Sequence, residues 1–138
     1  MRIKDKTEEI EGYLSELSEI MPKSLEEYSE LKTKAACERY FEKIIEATVD
    51  LSFLLIKERR LRPAEEDKES FDIISKEGLI PAELAGRLKD AKGMRNILAH
   101  EYGTVDDETV FHAITEELAG DIREFIAHVK HREKEEKG

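Results

Sequence analysis

Apolar residues recur along this chain at the spacing of a helix and almost nowhere with the alternation of a strand. The constraint is strongest over residues 33–61. There Phe41, Ile44, Ile45, Leu51, Leu54 and Leu55 share one helical face, and Pro63 stops the run. Upstream, Ile10, Tyr13, Leu14, Leu17 and Met21 form a shorter stripe that Pro22 ends. Ser24-Leu-Glu-Glu27 has the form of a capping box and opens the next helical stretch. Further on, Ser70 is placed to cap a short helix over residues 71–77, and Gly78 to terminate it. Pro81 suits the first turn of the helix that follows, and Gly103 its end. Asp106 or Asp107 can cap a last helix carrying Val110, Phe111, Ile114, Leu118, Ile122, Phe125 and Val129. Only 7 glycines and 3 prolines interrupt 138 residues, and no repeat or long linker divides them. The expectation is one domain, residues 1–138: an all-α, antiparallel up-and-down bundle of about four main helices plus a short one. Its charged tail, residues 131–138, is expected to fray.

Charge narrows the function. Charged residues make up 41% of the chain, rich in Lys and Glu, a composition that resembles heat-adapted proteins. A net charge of −10 argues against a protein that coats nucleic acid nonspecifically, because that affinity comes from neutralising phosphates. The charge is uneven, however. "KERRLR" (residues 57–62) and "RLKDAKGMR" (residues 87–95) are basic islands, while "EEDKE" and "DDE" are acidic ones. The single cysteine, Cys37, excludes an internal disulfide framework and fits a reducing compartment. No apolar run is long enough for a membrane span, and the first residues are too charged for a secretory signal. A soluble cytoplasmic protein is expected.

The second basic island runs into "RNILAHEY", residues 95–102. Asn96 is the only asparagine in a chain without glutamine. On a helix turning about 100° per residue, Arg95, Ala99 and Tyr102 form one column. Asn96 and His100, four apart, form the adjacent one, while Met94, Ile97 and Leu98 point to the core side. A carboxamide beside an imidazole can hold one ring nitrogen and fix the tautomer. Gly93 invites a close approach by another backbone. Arg95 and His100 are about 140° apart on this wheel. Two such helices facing each other across a twofold axis could nevertheless build sites from both subunits. The plainer reading places both cations at a helix C-terminus simply because cations are favoured there. The combination with a unique amide weighs against it.

Other chemistry-bearing residues carry less. Glu46 and Asp50, four apart, could serve a metal or acid–base work, but salt bridges or an interface suit them better. His128 and His131 lack placed metal partners, and no Glu-x-x-His pairs of the di-iron type occur. His112 reads as a surface or partly buried histidine, and Cys37 as a small packed side chain. Tyr13, Tyr28 and Tyr40 read as core or interface residues. No metal or cofactor is expected.

The motif resembles the Arg-x(4–6)-His signature of HEPN domains, and more closely the Arg-Asn-x-x-x-His-x-Tyr pattern of HepT-like toxins. "ERYFEKIIEATVDLSFLLI" is similar to that family's first long helix, and "FDIISKEGLIPAELAGRLKDAKGMRNILAHEYGTVD" to the segment leading into its motif. The resemblance runs from about residue 4 to 130. It implies a HEPN-like homodimer acting as a metal-independent ribonuclease toxin of a prokaryotic toxin–antitoxin pair. It implies a minimal nucleotidyltransferase as antitoxin, one that can add AMP to the motif tyrosine. Carried over, Arg95 and His100 are catalytic, Asn96 supports them, and Tyr102 is the modification site. Arg87, Lys92, Arg59 and Arg60, in the basic islands, are expected to hold the RNA backbone. The chemistry suits these side chains without the family name. An imidazole can act as acid or base near neutrality, and a guanidinium can fork onto phosphate oxygens. The competing expectation, from another class, is a noncatalytic helical module that binds a nucleotidyltransferase. The intact Arg95 and His100 favour the enzyme.

Overall fold

A computed structural model describes residues 2–100 and 105–137. All the regular structure among them is helical: α1 (Ile3–Ile20), α2 (Leu25–Tyr28), α3 (Leu31–Glu58), α4 (Asp67–Lys76), α5 (Ala82–His100), α6 (Asp107–His112), a π-helical turn (Ala113–Glu117) and α7 (Leu118–Lys137). The expected all-α bundle is what forms. α1, α4 and α5 pack on α3, α7 packs on α5, and α2 rests on α6. No helix among the described residues is long and apolar enough to cross a membrane.

α3 is covered on nearly every side in its middle. Ile44, Ile45, Ala47, Thr48, Val49, Leu51 and Ser52 are all buried, whereas Leu54, placed on the apolar face by its spacing, is only half-buried. The two polar residues in that stretch are satisfied locally. The Thr48 hydroxyl donates to the Ile44 carbonyl at 2.7 Å, and the Ser52 hydroxyl to that of Val49 at 2.6 Å. Tyr28 is fully buried and its ring lies 5.8 Å from that of Phe111, pinning α2 to α6. Tyr13 and Tyr40 are half-buried, with the Lys43 ammonium over both rings.

Ends and caps follow the sequence with three exceptions. Ser24 accepts from the Glu27 amide at 3.1 Å, and Asp106 accepts from that of Thr109 at 2.9 Å, as their cap positions predict. Gly78 takes φ +77°, which lets the Leu79 amide reach back to the Ile74 carbonyl. Ser70, expected as a cap, instead lies inside α4. The helix starts at Asp67, where Glu69 accepts from the Glu65 amide, and the Ser70 hydroxyl is buried 2.5 Å from that of Ser52. Two small hydroxyls let α4 cross α3 closely, and that contact outweighs the cap preference of serine. α3 ends at Glu58 rather than near Leu61, because Arg60 adopts φ +55° and the Leu61 amide closes onto the Ile56 carbonyl. The last helix is broken by the π turn, a register change that widens the helix beside α5.

The tail, expected to fray, is helical to Lys137. Arg132 donates to the Gly78 carbonyl at 2.7 Å, and Arg59 pairs with Glu136 at 3.1 Å. This docking crowds acids. Carboxylate oxygens of Glu58, Glu133 and Glu136 lie within 4.8 Å of one another. Partial burial, and then Glu133 beside it, push the Glu58 carboxyl above its ordinary pKa, while Arg59 pulls the other way. A raised carboxyl pKa means that the folded state binds more protons than the unfolded one. Stability therefore falls as pH rises from about 4.3 through the raised value. Glu58→Gln should melt above wild type near neutral pH and alongside it below about pH 4. Equal melting curves at neutral pH would show that the three acids do not repel one another there.

Candidate functional site

α5 starts where the Pro81 carbonyl accepts the Ala85 amide, one residue before the first helical position. Its first half is anchored by buried Leu84, Ala85 and Leu88, and three cations from Arg87 to Lys92 pair with acids of two neighbouring helices, α7 and α4. Arg87 bonds Asp121 and Glu124, both at 2.9 Å; Lys89 bonds Asp72 at 3.0 Å; Lys92 bonds Asp67 at 3.2 Å. Its second half differs. From Gly93 to Ala99 each residue is half-buried, and His100 is exposed. Met94, Ile97 and Leu98, placed on the core side by their spacing, are only partly covered within one chain.

Arg95 corrects the helical-wheel picture in the opposite sense. It does not stand off the packed side. Its side chain is 17% exposed, and an Nη2 hydrogen bond ties it to Oε1 of Glu46 on α3. Its Nε is buried without a partner among the described residues. The crossing of α5 over α3 brings this turn against Glu46, and the long side chain follows the carboxylate.

Arg95, Asn96 and His100 nevertheless line one open groove, together with Glu66, Asp67, Lys68 and Lys92. Despite the wide angle between them, Arg95 and His100 thus line the same groove within one chain. The space beside Gly93, expected to admit a backbone, is taken by the Lys68 side chain. Its Nζ lies 3.2 Å from where a Cβ would stand. Tyr102 and Gly103 fall outside the described residues.

Of the four cations expected to hold RNA, Lys92 alone lines the groove, and its side chain is 9% exposed with the ammonium paired to Asp67. Arg87 is held by α7 and lines a small apolar cavity of about 110 Å³ between α5 and the π turn. Arg59 is tied to Glu136, and Arg60 lies on a surface with Arg2, Lys4 and Glu133 that shares no residue with the groove. Three residues that line the groove, Glu66, Asp67 and Lys68, carry no expectation from the sequence. Glu46, which is not among the lining residues, and Asp50 form the salt bridges that suit them from the sequence, to Arg95 and Lys6. Lys68 lay hidden in an acidic island; only its position four residues from Asp72 on α4, a helix facing α5, could have hinted at it.

The remaining candidates resolve simply. His112 and His131 face Glu116 and Glu135 one turn along at 2.6 and 3.0 Å, both exposed, and His128 stands 3.8 Å from Glu124. Cys37 is buried, and that burial pushes its thiol pKa up, away from nucleophilic use.

Glu46 is 47% exposed, so solvent screens the pair, but Arg95 is mostly covered. Glu46→Ala strands a covered guanidinium and should cost on the order of 1 kcal/mol, whereas Glu46→Gln keeps an acceptor and should cost less. Denaturant unfolding of both variants measures this; an alanine variant as stable as wild type would mean the contact is idle in solution.

Three comparisons bear on what this arrangement belongs to. A relative from Archaeoglobus fulgidus is 36% identical over 86 residues, covering 62% of this chain and 64% of that one. The chain thus spans just under two thirds of the length of that relative. A protein of Aphanizomenon flos-aquae named tRNA nuclease HepT is 29% identical over 114 residues, 82% of this chain and 78% of its own. Among solved structures, a tri-AMPylated HEPN toxin of Shewanella oneidensis in complex with an MNT antitoxin superposes with a TM-score of 0.87. It is 21% identical and covers 95% of this chain and 99% of that one, so the HEPN fold is shared. The family model described as ribonuclease HepT-like matches residues 10–129, which include α5, the groove and the whole motif, and the chain belongs to that HepT-like family.

Proposed function

We propose that this chain is a metal-independent endoribonuclease, the toxin of a prokaryotic toxin–antitoxin pair acting in the cytoplasm. The observation that carries the reading is the meeting of Arg95, Asn96 and His100 in one open groove. The nuclease name of the Aphanizomenon flos-aquae relative supports it. In the reaction, the ribose 2′-oxygen forms a bond to phosphorus as a base takes its proton. The bond to the 5′-oxygen breaks as an acid protonates it, leaving a cyclic phosphate and a free 5′-hydroxyl. His100 acts as base or acid, and Arg95 carries the charge of the phosphorane. No step calls for a metal. Asn96, one turn before His100, orients the imidazole. Lys92 lies in the groove, while Arg87, Arg59 and Arg60 could touch only strand that continues beyond it.

One histidine in the groove of each chain leaves one proton-transfer role unfilled. A homodimer with the α5 helices at the twofold axis would supply the second. The half-covered Met94, Ile97 and Leu98 support this arrangement, since apolar side chains left partly exposed at the end of a buried helix suit an interface.

The antitoxin in this reading is a minimal nucleotidyltransferase. The solved toxin from Shewanella oneidensis is AMPylated and bound to an MNT antitoxin, which supports the same partnership here. Tyr102, two residues past His100, is the acceptor. Its phenol oxygen attacks the α-phosphate of ATP and pyrophosphate leaves, with the partner supplying the metal. The new phosphodiester charge competes for Arg95 and crowds the groove.

His100→Ala and Arg95→Ala should each lower RNA cleavage in EDTA by at least about a hundredfold. The protein should run as a dimer by light scattering. His100→Ala should melt like wild type, because His100 is exposed. Arg95→Lys keeps the charge and much of the stem, and so separates lost chemistry from lost packing. Full activity in the histidine variant would trace the cleavage to a contaminant. RNA left intact by wild type would favour the noncatalytic module that binds a nucleotidyltransferase, and a monomer would remove the twofold site.

Tyr102→Phe should keep much of the ribonuclease activity yet escape modification. Intact mass after incubation with a minimal nucleotidyltransferase and Mg-ATP, wild type alongside the variant, tests this. Equal AMP uptake by the phenylalanine variant would place the acceptor elsewhere.

A further inference from the structure

We infer that Lys68 is an RNA-binding residue of the groove, taking a backbone phosphate next to the one being cleaved, and that Gly93 is glycine to give it room. The inference rests on the ribonuclease reading above and adds a substrate contact to it. Three cationic side chains line the groove: Lys68, Lys92 and Arg95. Lys92 is neutralised by Asp67, and Arg95 is bonded to Glu46. The exposed Lys68 makes no ion pair or hydrogen bond among the described residues, although Glu66 also lines the groove. Its ammonium is therefore the one lining cation that no carboxylate holds among the described residues.

Its position is set by α5. Lys68 Nζ lies 3.2 Å and Cε 3.7 Å from where a Gly93 Cβ would stand, with nothing else within 4 Å of that point. Any larger residue at position 93 must push the lysine tip aside. Gly93 and His100 are seven residues apart, so they lie on the same face of α5, separated by about 10 Å along its axis. Lys68 thus stands over the same column of α5 that ends at His100, too far along it to reach the phosphate under attack. A strand laid in the groove with one phosphate at His100 would pass Lys68 with an adjoining part of its backbone. Such a contact binds substrate in ground and transition states alike, so its loss raises KM and spares kcat.

The test uses the full chain and a short 2′-O-methyl oligoribonucleotide, which lacks the attacking hydroxyl and stays intact. Binding is followed by anisotropy over a range of KCl concentrations for wild type, Lys68→Ala, Gly93→Ala and the double variant. Lys68→Ala should weaken binding severalfold at low salt and flatten the plot of log affinity against log salt by about 0.7. On cleavable RNA it should raise KM with kcat held. Gly93→Ala should shift both readouts in the same direction while melting no lower than wild type, because alanine favours helix and its Cβ meets only a flexible side-chain end. The double variant should bind no more weakly than Lys68→Ala alone. An unchanged salt slope in Lys68→Ala overturns the inference while leaving the ribonuclease reading in place. A further loss on adding Gly93→Ala to Lys68→Ala overturns the role given to Gly93. A wild type that neither binds the oligonucleotide nor cuts RNA overturns both readings together.

Discussion

The burial of α3 on nearly every side is the constraint on which the rest of the structure depends. A 28-residue helix covered in this way needs neighbours on several faces, and α1, α4 and α5 supply them. Each covered Leu, Ile or Phe contributes about 1.5–3 kcal/mol, so the interior of α3 outweighs any single polar contact made to it. Those polar contacts decide how the neighbours are aligned. Ser52 meets Ser70 of α4, Asp50 meets Lys6 of α1, and Glu46 meets Arg95 of α5. These three residues, spaced along one helix, index three partners. The groove lies where α4 and α5, so aligned, leave a gap lined from both.

Charge is distributed with the same economy. The protein carries −10 overall, so its distant field repels a polyanion. Attraction must come at short range, from cations not already neutralised. Most basic side chains with described partners are paired across helices, including Arg87, Lys89, Lys92, Arg59 and Lys34. Such pairs fix helix against helix, and each removes a positive charge from use. A basic island in the sequence is therefore a poor guide to a basic surface in the fold.

This explains what the sequence made legible. Helical periodicity placed α1, α3, α5 and the last helix, because those segments bury one face or more and the pattern records it. Ser24, Asp106 and Gly78 were legible because a cap or a positive φ is a local demand. Ser70 was not, since its role depends on Ser52, 18 residues away. Motif chemistry marked Arg95, Asn96 and His100, which do meet in one groove, but the local wheel misjudged how far each is covered. Met94, Ile97 and Leu98 are less covered than their spacing implied, and Arg95 is more so. Both departures depend on what the neighbouring helices bring to this end of α5, a long-range feature. Lys68 was illegible for the same reason, since it matters through a residue on another helix, whereas Glu46 was legible as a salt-bridge residue though its partner was not.

The contact between Arg95 and Glu46 has a further consequence under the proposed reaction. A guanidinium meant to stabilise a phosphorane must be held in place before substrate arrives, yet it must not be spent on its holder. A fully buried carboxylate would fail the second requirement, because separating such a pair is costly in a low dielectric. Glu46 is nearly half exposed, so water screens it and weakens its hold. Arg95 also has donors beyond the Nη2 that it gives to Glu46, since the guanidinium fork carries five N–H groups. A phosphate in the groove can therefore share the arginine rather than displace the glutamate, and the alignment fixed from α3 survives substrate binding. An AMP group attached nearby would exploit the same spare donors. It would occupy them permanently, where a substrate occupies them in passing.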